Sequence, residues 1–552
     1  MTSLEDVLEI FILILFCFIL PCIVLIEPIK DIIKRKKNIK EVLKEYKEEL
    51  ILFFVLILGS LVRMVAIGKY PNALNADEAS SGYEAWSILK SGIDRNGNSF
   101  PVVLYAWGSG QNALYSYLLL PVLCLTGLGE FGLRLPMAII GIVSLYVFYY
   151  LLKNIFNDKK VALVGVLFLA ICPWHVMKSR WALESNIFPD LILIAVMLLI
   201  AGIKNKKRWM QILSFIVLGI SSYAYGTAYL FLPVFVVGVL LYLWRKKEIS
   251  IKCAGIYLAI VFVISIPIIL YVIINTFNLS QISIGPITIP LMKENRTKEV
   301  STIFSGNIYE NCISNLLDSL KIILIQSDGL EWNSISSYGL FYGFTIIFLI
   351  YGIYLSLKKY KKNEFNVIMQ IWTISAIILC AFCIPNINRI NVIMFPCIYY
   401  IVIGLYEFFS KYKVMIPCIV AIYVGLFICF MQDYFQKDYN EYSTFTSGIK
   451  EISEYCEKSD LENVYCYYSF KEPFIYFLFY SKYDVNNYLD TVEFFDDDGV
   501  FDNVRAFGKY KFYLPENVPD SSIVIVPKGS NLNYENNIKN KITINQFDLY
   551  EF

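Results

Sequence analysis

The chain has 552 residues, 57% of them hydrophobic and only 17% charged, with a net charge of +1. That balance lies outside the globular range and inside the membrane class, and because the Lys/Arg clusters punctuate apolar runs it argues against a nucleic-acid partner. A single histidine, His175, excludes a histidine-rich metal cage and a Ser-His-Asp triad.

A membrane span needs roughly 20 apolar residues. The first apolar run, 7–26, lacks a basic leader and a small-residue cleavage site, so it is expected to stay as a span. With the basic stretch Lys30 to Lys47 it makes residues 1–50 an added N-terminal helix and cytoplasmic segment. Further spans are expected near 51–68, 133–153, 160–177, 187–203, 209–225, 228–244, 250–275, 336–357, 365–384, 389–409 and 413–432. The total is about twelve.

The apolar segment Ala113 to Leu128 is short and broken by Pro121 and Gly127. If it does not span, the short clusters at Lys30–Lys47, Lys153–Lys160, Lys204–Arg208, Arg245–Lys247, Lys358–Lys362 and Lys411 with Lys413 all fall on one side. The positive-inside tendency makes that side cytoplasmic, and the segment is therefore read as a non-spanning helix. Loops 69–132 and 276–334 are then exterior, as is the tail 433–552. The tail carries apolar runs Val464–Phe470 and Ile523–Val526 and a helical candidate starting near Pro473, the pattern of a small α/β domain. Most of the thirteen cysteines lie in apolar runs, with no disulfide framework and no CxxC motif.

Ionisable residues gather at the expected outer ends of spans. In Asn75-Ala-Asp-Glu-Ala-Ser-Ser-Gly-Tyr-Glu84, Asn75 can cap a helix that gathers Asp77, Ser81 and Glu84 on one face. The acids form an exterior carboxylate patch or simply complement the positive end of the helix. In Lys178-Ser-Arg-Trp-Ala-Leu-Glu184, Arg180 and Glu184 stand i, i+4 apart, as a mutual ion pair or as part of a site. Arg63, inside the second span, is either functional or snorkels outward. Arg134 at the head of a span and Arg389 in Pro385-Asn-Ile-Asn-Arg389 run against the positive-inside trend, so anion binding competes with interface anchoring as their role. His175, in Pro173-Trp-His175, reads as an interfacial residue. No Walker-type phosphate loop is present, which leaves carboxylate-plus-arginine chemistry.

In this order the residues resemble the GT-C superfamily of polytopic glycosyltransferases, near the protein O-mannosyltransferases of glycosyltransferase family 39 and the aminoarabinose transferases. The resemblance covers most of residues 50–430. It rests on Asp77-Glu78, Gly132-Leu-Arg-Leu-Pro136, Ser179-Arg-Trp-Ala-Leu-Glu184 and Ser222-Tyr-Ala-Tyr225. Later landmarks are Asp328-Gly-Leu-Glu-Trp-Asn333 with Gly339, and Asn388-Arg389 followed by Pro396. It departs at Tyr229, where relatives often carry an arginine, at Asn388, where a histidine is frequent, and in the additional helix before residue 27.

The resemblance implies an all-α, multi-pass GT-C-type catalytic domain over 51–432, set in a bacterial plasma membrane with its active site and C-terminal domain exterior. It implies transfer of a hexosyl or pentosyl group from a polyprenyl-phosphate donor to an acceptor hydroxyl, with inversion. Asp77 then acts as general base, paired with Glu78, and the donor phosphate is bound by Arg180, Arg389 and Arg134. Glu184 orients an arginine or a divalent ion, metal use differing across the superfamily. Glu84, Tyr223, Tyr225, Asp328, Asn333 and Asn388 are further substrate contacts. Trp107, Tyr115 and Tyr117 line a prenyl groove or form an interfacial aromatic belt. Sugar and acceptor stay unspecified. The rival reading, a transporter or flippase of lipid-linked saccharides, predicts mid-span charges and a repeated architecture that the sequence does not display.

Overall fold

The computed structural model describes residues 4–107, 109–293, 301, 306–436, 446–467, 472–495, 503–530 and 538–552. Among these residues, eight helices are long and apolar enough to cross a membrane: Val7–Ile33, Glu130–Phe156, Glu184–Lys204, Ala228–Arg245, Ile251–Phe277, Glu364–Phe382, Ile387–Lys411 and Lys413–Tyr434. They fall on eight of the expected spans. With all backbone groups bonded internally, a helix is one of the few structures lipid tolerates. The other four expected spans are helical too, but shorter or more charged. Lys47–Met64 includes Glu48, Glu49 and Arg63, Arg208–Ser221 has 14 residues, and Gly343–Lys358 is likewise short. Lys159–Ile171 stops because Cys172, preceding Pro173, is pushed to an extended conformation, and the chain restarts as Pro173–Lys178. The doubtful segment forms a helix of 13 residues, Leu114–Thr126, with Pro121 inside it. In Glu184–Lys204 and Ile387–Lys411, 78% of the apolar stretch is buried, against 17% in Lys413–Tyr434, so the first two are core helices and the third faces outward.

The chain divides into two compact units. One comprises Met1–Val65, Met137–Ile266 and Thr297–Tyr434; the other comprises Ala66–Pro136, Pro267–Arg296 and Phe435–Phe552. The first unit is a helical bundle in which small residues let backbones meet. A Cβ on Gly352 would lie 1.8 Å from the Tyr400 carbonyl oxygen, and one on Gly404 2.2 Å from that of Phe348. Helices Ile346–Lys358 and Met394–Lys411 therefore touch backbone to backbone.

The second unit is α/β. Val103–Ala106 (β1) and Ser109–Asn112 (β2) form one hairpin, and Ile282–Ile284 (β3) and Ile287–Ile289 (β4) another. The tail contributes Asn463–Cys466 (β5), Glu493–Phe494 (β6), Val504–Phe507 (β7), Tyr510–Lys511 (β8), Ser522–Pro527 (β9), Asn540–Ile544 (β10) and Phe547–Glu551 (β11). Their order in the sheet is β10-β11-β9-β5-β8-β7-β6, with β5 parallel to both neighbours and the other pairs antiparallel. This is the mixed α/β tail that the apolar runs predicted; residues 468–470 of the run Val464–Phe470 lie outside the described residues.

Helix Phe474–Tyr480 is apolar all round, and residues 474–479 are buried. It packs on helix Ala76–Ser91, where a Cβ on Gly82 would come within 2.6 Å of the Phe479 ring. Tyr83 Oη donates to the Tyr483 carbonyl at 2.9 Å, the Thr446 N–H to the Leu74 carbonyl at 3.2 Å, and Lys450 pairs with Glu130 at 3.0 Å. Thr288 of β4 joins the same unit, its N–H donating to Ser99 at 3.1 Å and its carbonyl accepting from Val102 at 3.0 Å. All thirteen cysteines are free thiols.

Candidate functional site

Helix Ala76–Ser91 starts as the sequence predicts. Asn75 Oδ1 accepts from the Asp77 N–H at 2.8 Å and Glu78 Oε2 from the Asn75 N–H at 3.2 Å, a reciprocal capping box. The box separates the two acids. Glu78 turns inward and is fully buried, its carboxylate gripped by Arg134 through Nε at 2.9 Å and Nη2 at 3.0 Å. Arg134 also donates to the carbonyls of Ile67, Pro71 and Ala73 at 3.1, 2.7 and 2.6 Å. Read from sequence as a donor-phosphate ligand, Arg134 instead has all five N–H donors in hydrogen bonds inside its own unit, with no exposed surface. Asp77 stays half-buried; Trp107 Nε1–H donates to its Oδ1 at 2.7 Å, and Gln111 Nε2 to its main-chain carbonyl at 3.3 Å.

Glu84, about two turns further on, has no exposed surface either. Its Oε1 lies 3.2 Å from Arg95 Nε, and its Oε2 accepts the Arg95 main-chain N–H at 3.0 Å. Burial pushes its carboxyl up to about 8, against the opposing pull of the Arg95 charge. Glu84 is thus buried against Arg95 within its own unit.

Arg95 was not singled out from the sequence. Its Nη1 donates to Ser80 Oγ and its Nη2 to the Tyr105 carbonyl, each at 3.1 Å, while its guanidinium stands 5.4 Å from the Trp107 ring centroid and 5.7 Å from that of Phe474. The readable signal was the turn Asp94-Arg-Asn-Gly-Asn98, in which Asp94 Oδ1 accepts from the N–H groups of Asn96 and Asn98 at 2.9 and 2.7 Å. The hydroxyls of Tyr115 and Tyr117 are bonded to the carbonyls of Leu133 and Pro101 at 2.6 and 2.8 Å.

In the other unit, Arg180 is fully buried, donating through Nη1 to the Val62 carbonyl at 2.9 Å with its guanidinium 5.6 Å from the Tyr434 ring centroid. Glu184 opens helix Glu184–Lys204 and is buried. Below this turn lies an ionisable cluster that sequence reasoning missed. His175, read as interfacial, has no exposed surface, and neither does Arg63, which therefore does not snorkel. Arg63 Nε and Nη2 both point at His175 Nδ1, at 3.2 and 2.6 Å, which assigns the ring proton to Nε2, 3.5 Å from Asp190 Oδ1. Asp190 also pairs with Lys178 and accepts from Ser144 Oγ at 2.7 Å. The remaining Arg63 donors go to the carbonyls of Gly59, Ala170 and Leu169 at 2.8, 3.1 and 2.9 Å.

Arg389 sits in the short helix Ile387–Ile390, capped by Asn386 Oδ1 on the Arg389 N–H at 2.8 Å. Asp328 Oδ2 accepts from the Ile387 N–H at 2.9 Å and from Asn333 Nδ2 at 2.8 Å, so the 328–333 segment is docked on this helix start. Asn391, another residue not foreseen, ties it to the start of Glu184–Lys204 by donating to the Ser185 carbonyl at 2.7 Å. Arg389 stays half-exposed with Nη1 on the Ile384 carbonyl at 3.1 Å, and Asn388 is half-buried. Tyr223 Oη donates to the Ile264 carbonyl at 2.7 Å, and Tyr225 is half-buried.

Asp77, Glu78, Glu84 and Arg134 thus belong to one unit, and Arg180, Glu184, Tyr223, Tyr225, Asp328, Asn333, Asn388 and Arg389 to the other. Among the described residues, no three His, Cys, Asp or Glu side chains are grouped to hold a metal ion.

Residues 112–271 match the sequence model of the dolichyl-phosphate-mannose-protein mannosyltransferase family. No curated protein sequence matches the chain. Among solved structures the chain is similar to ArnT from Cupriavidus metallidurans bound to undecaprenyl phosphate, with a TM-score of 0.53 and 10% identity over 91% of this chain and 97% of that one. It is also similar to the archaeal oligosaccharyltransferase AglB from Archaeoglobus fulgidus, solved with an inhibitory peptide and a dolichol-phosphate, with a TM-score of 0.49 and 12% identity over 80% of this chain. The chain spans 64% of that protein's length. It is a multi-pass membrane protein of the GT-C fold, with a C-terminal α/β region. Within that fold it resembles the protein O-mannosyltransferases and the ArnT-type transferases.

Proposed function

We propose that the chain is a glycosyltransferase that moves a sugar from a polyprenyl-phosphate donor to an acceptor hydroxyl at the outer face of a bacterial plasma membrane, with inversion. The observation that carries this reading is the state of the Asp77-Glu78 pair: one carboxylate buried on Arg134, the other half-buried and oriented by an indole N–H. That is the arrangement of a general base beside a fixed support. The family match at 112–271 supports a phosphate-linked sugar donor, and the fold shared with ArnT supports a polyprenyl carrier.

In this reading the acceptor hydroxyl attacks the anomeric carbon while Asp77 takes its proton. The bond from that carbon to the phosphate oxygen breaks, and the electron pair leaves with the polyprenyl phosphate. A cation near the leaving oxygen stabilises the developing charge. Of the three arginines read as phosphate ligands, Arg134 supports the base through Glu78, which leaves Arg180 and Arg389 as the candidates for that role.

The alternative, a transporter of lipid-linked saccharides, draws on the buried cluster of Arg63, His175, Lys178 and Asp190. Each charge there is bonded to a fixed partner, which suits a static core better than a moving gate.

The test is release of polyprenyl phosphate from a set of radiolabelled undecaprenyl- and dolichyl-phosphate sugars, with wild type and Asp77→Asn side by side and crude envelope as acceptor. Wild type should release the carrier, and Asp77→Asn should lose roughly 10²–10⁴-fold. Release by both proteins at equal rates removes Asp77 from the mechanism. No release with any donor favours the transporter.

A further inference from the structure

Trp107 occupies a place its residue type does not favour. β1 and β2 pair Ala106 with Ser109, so Trp107 stands at the tip of a tight hairpin, with φ at +53°. Such tips ordinarily take Asn, Asp or Gly, because positive φ crowds a bulky side chain. A residue held in that region signals surroundings that over-determine it. Those surroundings are visible: the indole N–H donates to Asp77 Oδ1 at 2.7 Å, the ring carries the Arg95 guanidinium at 5.4 Å, and it meets Phe474 edge to face with centroids 6.4 Å apart. Arg95 is itself anchored by Glu84, Ser80 and the Tyr105 carbonyl. Gln111 of β2 bonds the Asp77 carbonyl, so the hairpin grips both the side chain and the main chain of Asp77.

We propose that the β1–β2 hairpin positions the base, with Trp107 fixing the orientation of the Asp77 carboxylate. The proposal rests on the reading of Asp77 as the base. A donor to a carboxylate favours its charged form over its protonated one. The Arg95 guanidinium against the ring holds the indole plane, and Trp107 is a positioning residue that need not touch substrate.

The first test does not depend on turnover. The full chain is labelled with 5-fluorotryptophan, and the Trp107 resonance is assigned by its loss in Trp107→Phe or, should that variant misfold, Trp107→Tyr. The resonance should move with pH in wild type and lose that movement in Asp77→Asn. A resonance with the same pH response in both overturns the contact. In the carrier-release assay, Trp107→Phe should lower kcat about tenfold, leave KM for the donor within about twofold, and move the acid limb of the rate profile up by about half to one pH unit. Trp107→His, which restores an N–H, should recover part of the loss. An unchanged kcat and acid limb in Trp107→Phe, with Asp77→Asn inactive, overturns the positioning role and spares the base. Full turnover by Asp77→Asn overturns the base, and with it the catalytic half of this proposal.

Discussion

Arg134 donates five hydrogen bonds, two to Glu78 and three to main-chain carbonyls, so replacing it strands a buried carboxylate. Arg134→Met should lower stability by about 3–5 kcal/mol, measured by thermal or denaturant unfolding in detergent. Lysine should not rescue it, because one ammonium cannot reproduce the guanidinium fork; a wild-type midpoint for Arg134→Met would refute the supporting role. Glu84 sets a pH dependence. Its carboxyl titrates near 8 when folded and in the ordinary carboxylate range when unfolded, so between these values the folded chain holds the extra proton. The stabilisation that Glu84 itself contributes is therefore fully present below about pH 4–5 and is lost as pH rises toward 8. The difference in unfolding midpoint between wild type and Glu84→Gln should move in favour of Glu84→Gln as pH rises from 5 to 9; a difference that does not change with pH would refute the raised carboxyl. Asn75 was legible as a cap, and its reciprocal partner Glu78, three residues on, was not named as one. The partner of Glu78 lies 56 residues away, and nothing in a linear pattern ties Arg134 to it. Arg134 was therefore read by its expected side of the membrane and by the family resemblance.

The helix start at Asn75 was legible because a cap marks it, whereas the break at Cys172-Pro173 was passed over inside an expected span of 160–177. Which helices touch was not legible, because small residues in an apolar run look alike until a neighbour's backbone is in place. Gly352 and Gly425 show the difference. Alanine at 352 meets the Tyr400 carbonyl and forces the two helices apart, whereas nothing lies within 4 Å of a Cβ at 425. Gly352→Ala should lower the unfolding midpoint in detergent by an amount matching about 1–3 kcal/mol. Gly425→Ala should leave it unchanged or raise it slightly. Equal effects at the two positions would mean that this close helix contact is absent in solution.

Across the molecule, apolar periodicity predicted the helical content and the α/β tail, yet the sequence was cut at 433 where the structure groups the chain by contact. Residues Phe435–Phe552 share a compact unit with Ala66–Pro136 because Phe479, Tyr483 and Thr446 are bonded to or packed on Gly82, Tyr83 and Leu74. Ending the chain at Tyr434 should therefore expose helix Ala76–Ser91 to limited proteolysis and abolish carrier release; a truncated chain as protease-resistant and active as the whole would refute this. The buried Arg63–His175–Asp190–Lys178 cluster has a consequence for biogenesis. Its members arrive on separate stretches of chain, and a charged residue in a lone span costs up to about 2.5–3.5 kcal/mol on insertion scales, less toward the helix end where Arg63 stands. Arg63 emerges first and meets His175 and Asp190 only after more than a hundred further residues have been made. Until then it has no counter-charge from the cluster, so the early helices do best by waiting in the insertion machinery and entering the lipid together with the segment that carries Asp190.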